Sequence, residues 1–495
     1  MGDATHFLAI DLGAESGRAM LATLEGGRIQ IDELHRFANG PVALPDGIHW
    51  DVLRLWTEIK AGIAAALART GGKLQGIGLD TWGVDFALLD RHGGLLGNPF
   101  HYRDRRTDGM MEAAFQRVPR EEIFARTGIQ FMQINTLFQL FSMAINRPAQ
   151  LEAAHTFLTV PDLFNYWLSG KAAGEFTIAT TTQCYDPRQG DWARDMLERL
   201  GIPAGIFPEI VPPGSVLGML QPYLCEELDA KPIPVVAPAC HDTGSAVAAV
   251  PAQGEHFAWI SSGTWSIMGT EADLPAVDEK TLAYNLTNEG GVGGKWRLSK
   301  NVMGLWIVQE CRRTWARQGE ELSYDQLTEL TAEAEPFQAV IDPDDGDFLM
   351  PGNMPQRVQS YCRRTGQAVP ETKGDIVRCV LESIALKYRW VLERVEEVVG
   401  YRLEPVHIFG GGTRNRLLNQ FAASAMGRLC VVGPVEATAV GNFLMQAVGL
   451  GVLPDIQTGR DAVRASFPVD YYQPDGDARW EAGYRKLLEL TADNP

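Results

Sequence analysis

Positive charge is scarce in this chain. Across 495 residues the formal net charge is −18 at pH 7, which argues against nucleic acid or an anionic membrane surface as the main partner. That sign does not exclude a nucleotide, because local backbone N–H groups can hold its phosphates. Long apolar runs are missing as well, and none approaches the length needed to cross a bilayer. Met1-Gly2-Asp3-Ala4-Thr5-His6 runs straight into Phe7-Leu8-Ala9-Ile10 with no basic n-region, apolar h-region or small-residue cleavage site. His6 stands where myristoylation prefers Ser or Thr. A cytoplasmic protein without a membrane anchor is expected. Cysteine is sparse: seven residues scattered along the chain, an odd number that fits reduced thiols in the cytosol. Two phosphate-binding signatures are also absent. No G-x-x-x-x-G-K-[ST] occurs, which argues against a P-loop kinase, and the triple glycine Gly410-Gly411-Gly412 is not the G-x-G-x-x-G of a dinucleotide fold.

What is there has the make-up of an ordinary soluble globular protein, with a hydrophobic share of 45% and a charged share of 21%. The length is too great for one compact core and predicts two large α/β domains. These are drawn at 1–245 and 246–455, with 456–495 as a peripheral segment.

Phe7 to Leu12 reads as a buried strand, Gly13-Ala14-Glu15-Ser16-Gly17 as a tight turn and Arg18 to Leu24 as the returning strand. A third strand, Arg28 to Leu34, follows Gly26-Gly27. The bare glycines let a ligand approach and aim N–H groups inward, and Asp11 at the strand end can hold Mg²⁺ beside phosphates. An ordinary β-turn reads the same way. A helix from about Asp51 to Arg69 places Leu53, Trp56, Ile59, Ile63 and Leu67 on one face and ends at Gly71-Gly72. The strand Leu74 to Leu79 ends in Asp80-Thr81-Trp82-Gly83, where an acceptor, a flat ring and a bare backbone suit a sugar. Trp82 reads equally as core filler. In the polar loop Tyr102 to Thr107, Arg103 and Asp104 can reach hydroxyls, and Thr177 to Cys184 reads as loop or strand near a cleft.

At mid-chain a short apolar strand from Pro234 delivers His241-Asp242-Thr243 to the head of a small-residue helix, Ser245 to Val250. Asp242 suits the helix cap and suits a general base in a cleft, and the two roles are compatible. Half a chain length after Asp11-Leu12-Gly13, a second strand ends in Ser261-Ser262-Gly263-Thr264 and returns. This reads as one repeated unit per domain, both facing a common cleft. Thr287 to Gly291 and Lys300 to Gly304 read as loops able to close over a ligand, and Leu305 to Arg317 as a helix carrying Gln309. Asp375 to Val399 is a long amphipathic core helix. The strand Val406 to Phe409, with Gly410-Gly411-Gly412 opening a helix behind it, suits an adenosine or its phosphates.

Asp11-Leu12-Gly13 with Gly17-Arg18, Asp80 to Phe86, Tyr102 to Thr107, His241-Asp242-Thr243, Ser261 to Trp265, Thr287 to Gly291 and Gly410 to Gly412 together resemble the FGGY carbohydrate kinases. The order is collinear from Phe7 to about Gly449. The resemblance implies a two-domain actin-like ATPase (ribonuclease H-like) α/β fold, with one mixed sheet flanked by helices in each domain and a central cleft. It implies ATP-dependent phosphorylation of L-rhamnulose at its C1 hydroxyl, with L-fuculose or a pentulose as alternative acceptors. An actin-like ATPase and a sugar-sensing module are rivals: the Asp80-to-Phe86 segment and Arg103-Asp104 speak against the first, and Asp242, Asp11 and both hairpins against the second. Carried over by position, Asp242 is the proton acceptor. Gly83, His241, Thr243 and Asn301, with Asp80 and Arg103, would meet the sugar. Ala14, Glu15, Ser16, Gly17, Arg18, Thr264, Gln309 and Gly411 would meet ATP, and Asp11 would place Mg²⁺. Glu15 departs from the small polar residue expected there, and its carboxylate would repel phosphates unless turned outward. The resemblance also implies a bridge between Cys362 and Cys379, whereas the cytosolic reading favours free thiols. The expected partners are a small ketose and ATP, with the chain a monomer or homodimer.

Overall fold

β1 (Thr5–Leu12), buried on both faces from Phe7 to Leu12, pairs with β2 (Ser16–Glu25), and β2 with the more exposed β3 (Arg28–Ala38), as an antiparallel meander in the computed structural model, which describes residues 4–492. Met1, Gly2 and Asp3, on which part of the leader reading falls, lie outside those residues. Gly26 and Gly27 join β2 to β3 at φ +56° and +76°, the left-handed pair that a two-residue hairpin turn requires. Helix α1 (Val52–Thr70) then crosses the sheet, capped by Asp51, which accepts from the Arg54 N–H, and stopped by Gly71 at φ +61°. Its buried stripe is Val52, Leu55, Ile59, Ile63, Ala66 and Leu67. Leu53, expected on that face, is 59% exposed, because it falls one position outside the i, i+3, i+4 series that starts at Val52. β4 (Gly76–Thr81) pairs parallel with β1 and sets Asp80 opposite Asp11.

The threonine-rich stretch expected as loop or strand forms a short helix, α2 (Phe176–Thr181), capped by Glu175, whose carboxylate accepts from the N–H groups of Thr177 and Ile178. β5 (Ser215–Met219) and β6 (Pro234–Ala237) complete the first sheet in the order β5-β6-β4-β1-β2-β3. From β6 the chain enters α3 (Asp242–Ala248).

The second sheet is built from β7 (Ala258–Ser262), β8 (Trp265–Ala272), β9 (Thr287–Gly290), β10 (Trp296–Met303), β11 (Val406–Phe409), β12 (Cys430–Val432) and β13 (Asp470–Tyr472). Its order is β9-β10-β8-β7-β11-β12-β13. β10, β8 and β7 run antiparallel, and β7, β11 and β12 run parallel. The series β10-β8-β7-β11-β12 therefore repeats β3-β2-β1-β4-β6 in order and direction. The segments expected as closing loops, Thr287 to Gly291 and Lys300 to Gly304, lie largely in the paired strands β9 and β10. The hairpin between them turns at Gly293 and Gly294, both with positive φ.

Between the sheets, α3 packs on α4 (Ala437–Gly449) so closely that a Cβ on Gly441 would stand 1.7 Å from the Ser245 carbonyl oxygen. The small residues of both helices permit that approach. α4 also reaches the first sheet, where Gln446 Nε2 donates to the Leu8 carbonyl at 3.0 Å. The first sheet's last strand ends at Ala237 and the second sheet begins at Ala258, so α3 straddles the boundary drawn at residue 245.

Beyond residue 455 the chain is not peripheral. Arg460, on the helix Ile456–Ser466, is buried and pairs with Glu271 at 2.9 Å. β13 covers the open edge of β12, and Trp480, Tyr484 and Leu487 of the helix Arg479–Leu490 enter the second core. All seven cysteines are free, and Cys362 and Cys379 lie side by side as thiols. Among the described residues no helix is long and apolar enough to cross a membrane.

Candidate active site

The two repeated hairpins turn at the same end of their sheets, the first through three residues (Gly13 to Glu15) and the second through two (Gly263 and Thr264). In the first, the Gly13 N–H donates to the Ser16 carbonyl at 2.9 Å, and Asn39 braces the turn by donating to the carbonyls of Gly13 and Glu15. A Cβ on Gly17 would come within 2.3 Å of the Phe37 ring, so the turn closes only with glycine there. In the second, the Gly263 N–H donates to the Trp265 carbonyl at 3.0 Å, and the N–H groups of Leu305 and Trp306 tie the turn to the helix Trp306–Arg317. The triple glycine docks against this second turn. Gly410 has φ +89°, and a Cβ on Gly412 would lie 2.1 Å from Ser262 Oγ.

The turns face each other across a cavity of about 670 Å³, the size of a small-ligand site. Of the residues expected to meet ligands, Ala14, Glu15, Ser16, Thr264, Gly83, Arg103, His241, Asp242, Thr243 and Asn301 line it. Others stand behind the wall. Arg18 is drawn between Asp11 and Glu436, and Gln309 accepts from Thr264 Oγ1 at 3.2 Å. Gly17 and Gly411 flank the turns. Asp80, expected against the sugar, is fully buried beside Asp11 and accepts from Asn442 Nδ2 at 2.6 Å. The register of two parallel strands puts it under the cavity floor rather than in the cavity.

Asp242 is the first residue of α3, and His241 holds the cap position expected for it. Its Oδ1 accepts from the backbone N–H of Thr243 and, at 3.1 Å, from Thr243 Oγ1. Among the described residues no donor reaches Oδ2. Burial raises its carboxyl above the usual aspartate range; His241 opposes the shift and the Asp11 charge adds to it. Asp80 is raised well above that range, first by burial and then by Asp11.

Several site residues carried no role at the sequence level. Asp85 is a buried hub: its Oδ2 accepts from the indoles of Trp50 at 2.6 Å and Trp82 at 3.0 Å, and its Oδ1 from Gln139 at 3.0 Å. Burial pushes it up to about 6 against those bonds. Trp82, whose ring also lies tilted against Trp50 with centroids 4.0 Å apart, is thereby fixed as cavity wall and is core filler at the same time. Gln130 Oε1 accepts from the Asn301 backbone N–H at 2.8 Å and from its amide at 3.1 Å, orienting that side chain. Arg103 stacks 4.3 Å over Trp306 and crosses the cleft in doing so. Glu15 turns outward to Arg313 at 2.9 Å. Behind His241, the buried pair Glu289 and Arg297 occupies opposite positions of β9 and β10. The Gly293-Gly294 turn was the available signal that these two strands pair.

Among the described residues no group of three or more His, Cys, Asp or Glu side chains is placed to hold a metal ion. Asp11 and Asp80 still bring two carboxyl groups side by side, Asp11 held by Arg18 at 2.5 Å and Asp80 with its Oδ1 buried and, among the described residues, unpartnered. That fits a hard cation such as Mg²⁺, which keeps most of its own waters and takes one or two carboxylates.

Residues 6–249 match the family model for the N-terminal domain of the FGGY family of carbohydrate kinases, and residues 258–450 match that for its C-terminal domain. A rhamnulokinase of Bacteroides thetaiotaomicron is 43% identical over 97% of this chain and 98% of its own. One from Oceanobacillus iheyensis is 40% identical over 94% and 97%. Among solved structures, a gluconate kinase from Lactobacillus acidophilus superposes with a TM-score of 0.81 at 15% identity, over 99% of this chain and 97% of that one. A xylulose kinase from Rhodospirillum rubrum gives 0.81 at 20% identity, over 99% and 98%.

Proposed function

The chain belongs to the FGGY family of carbohydrate kinases, and from that premise we propose that it transfers the γ-phosphoryl group of ATP to the C1 hydroxyl of L-rhamnulose. The products are L-rhamnulose 1-phosphate and ADP. The observation that carries this reading is the Asp242 carboxylate, with one oxygen free of donors among the described residues, at the wall of a cavity bounded by the two hairpin turns.

Phosphoryl transfer asks the protein mainly to align the reactants and spread the phosphate charge. The C1 oxygen attacks the γ-phosphorus, the bond to the bridging oxygen breaks, ADP leaves, and Asp242 takes the hydroxyl proton. Gly83, His241, Thr243, Asn301 and Arg103 hold the ketose, with Trp82 as an apolar wall. The N–H groups of Ala14 to Gly17 and of Thr264 cradle the phosphates, while Gly411 leaves room for the nucleoside and Arg18 and Gln309 support the turns. Asp11, with Asp80 behind it, would hold Mg²⁺, whose contribution is to neutralise phosphate charge. The cross-cleft contacts of Arg103 and Glu15 favour a closed cleft that excludes water, so that ATP is not spent on hydrolysis.

A panel of ketoses with coupled ADP detection tests the reading. L-Rhamnulose should give the highest kcat/KM, and ADP release without ketose should be slow. A preference for L-fuculose or a pentulose would reassign the substrate within the family. ADP release indifferent to every ketose would overturn the kinase reading for a partner-driven ATPase.

A further inference from the structure

We propose that Arg297, paired with Glu289, is a positioning residue that fixes the imidazole proton of His241 on Nε2, so that His241 meets the sugar as a hydrogen-bond donor beside Asp242. The sugar in that statement rests on the kinase reading above; the proton placement does not.

Arg297 is fully buried. Its Nε donates to the Gly290 carbonyl at 2.8 Å, and its Nη2 reaches His241 Nδ1 at 3.0 Å. A guanidinium has donors only and stays charged in proteins. His241 Nδ1 must therefore present its lone pair, and a neutral ring keeps its proton on Nε2. Nε2 stands 3.5 Å from Asp242 Oδ1 and faces Gly83, where a Cβ would lie 3.4 Å from it. The bare glycine thus keeps the donor open to the cavity.

The competing arrangement is also visible. Glu289 Oε2 lies 3.3 Å from Nδ1 and 3.1 Å from Arg297 Nη2, and among the described residues no hydrogen bond is completed to it. With the guanidinium displaced, Nδ1–H would donate to that oxygen, and Nε2 would face the cavity as an acceptor. Which tautomer prevails depends on where the guanidinium is held, and the hairpin holds it firmly. The Gly290 N–H donates to Thr180 Oγ1 at 2.8 Å, and a Cβ on Gly290 would come within 2.6 Å of the Phe176 ring. His241 is anchored from the same helix, since its N–H donates to Thr177 Oγ1 at 3.2 Å. The charged groups facing the ring are Asp242, Glu289 and Arg297. Glu289 also supplies the countercharge without which a buried guanidinium would be strongly destabilising.

The experiment uses the full chain labelled with [¹⁵N]histidine, the His241 signals being assigned by their loss in His241→Gln. Nδ1 is expected to resonate as a pyridine-type nitrogen and Nε2 as a pyrrole-type one, and a protonated Nδ1 overturns the proposal. Kinetics give the second readout. Arg297→Met should raise the ketose KM about tenfold, the upper range for one neutral hydrogen bond, and leave the ATP KM unchanged. Glutamine at 241 carries an amide donor with no tautomer to choose, so in the His241→Gln background the same substitution should cost no more than about twofold. Equal losses in both backgrounds would reduce Arg297 to a structural part and overturn the proposal. Should Arg297→Met not fold, the nitrogen spectrum of the unsubstituted chain still decides. Should no ketose be phosphorylated, the kinase reading fails while that spectrum reports the tautomer regardless.

Discussion

Replacing Asp242 by asparagine isolates the chemistry from the fold. Asparagine keeps an oxygen to accept from the Thr243 N–H and Oγ1, the two bonds that hold the side chain in place, so α3 and the cavity wall should stand. What changes is the free oxygen, which becomes an amide nitrogen unable to take a proton. General-base assistance is worth roughly 10²–10⁴ in rate, or about 2.7–5.5 kcal/mol of barrier. Turnover in a coupled ADP assay with saturating ketose should therefore fall at least about 10²-fold, while ATP affinity measured by direct binding stays unchanged. The pH profile supplies a sign. Only the ionised carboxylate accepts a proton, and burial raises the Asp242 carboxyl, so the unsubstituted enzyme should lose rate on the acid side at a pH above the ordinary aspartate range. That limb should vanish in Asp242→Asn. Asp11→Asn removes the like charge that adds to the shift and should move the limb to lower pH. Turnover of Asp242→Asn within tenfold of the unsubstituted enzyme would refute the assignment.

Three further outcomes follow from the geometry. The Glu15–Arg313 pair is half-exposed on both sides and should contribute less than about 1 kcal/mol to stability. Arg313→Ala, by freeing the Glu15 carboxylate beside the phosphate turn, should raise the ATP KM about threefold, and adding Glu15→Ser should restore it; no change in either variant would place Glu15 away from ATP. Gly412→Ala pushes a methyl to 2.1 Å from Ser262 Oγ and 2.9 Å from the Ser262 carbonyl oxygen, which no side-chain rotation relieves. It should cost about 1–3 kcal/mol in urea unfolding and weaken ATP more than ketose, and a neutral result would dissolve the link between the two turns. Asp162 is fully buried, and burial pushes its carboxyl up to about 8, above its unfolded value. The stability it contributes is complete below the unfolded value and is lost as pH rises toward about 8. Asp162→Asn should gain on the unsubstituted chain by at least about 2 kcal/mol between pH 5 and 8, and a pH-independent difference would contradict the shift.

The turns of the site were legible because their chemistry is local. A strand ending in Asp11-Leu12-Gly13 and another ending in Ser262-Gly263 each run into a short turn and return, and half a chain between them exposes the repeat. His241-Asp242-Thr243 was legible as the end of a strand, though the cap position belongs to His241. Local pattern did not extend to depth. Asp80 and Trp82 sit two residues apart at the end of one strand and look alike as sugar contacts, yet pairing with β1 turns Asp80 under the floor beside Asp11. The helix carrying Trp480 reads as polar tail because its apolar residues are spaced for a single narrow face, and only the second core shows what that face covers. Gln130 acts on Asn301 from far away in sequence, and although the Gly293-Gly294 turn signals that Glu289 and Arg297 pair, nothing within that hairpin points to His241 as their partner.

The most direct test of the account is a crystal of the unsubstituted chain holding L-rhamnulose and a non-hydrolysable ATP analogue. A carboxylate oxygen of Asp242 should lie about 2.6–3.2 Å from the C1 hydroxyl, with the terminal phosphate on the far side of that oxygen between the Gly13 and Gly263 turns. A ketose seated with its primary alcohol out of reach of Asp242, or a nucleotide bound away from both turns, would contradict it.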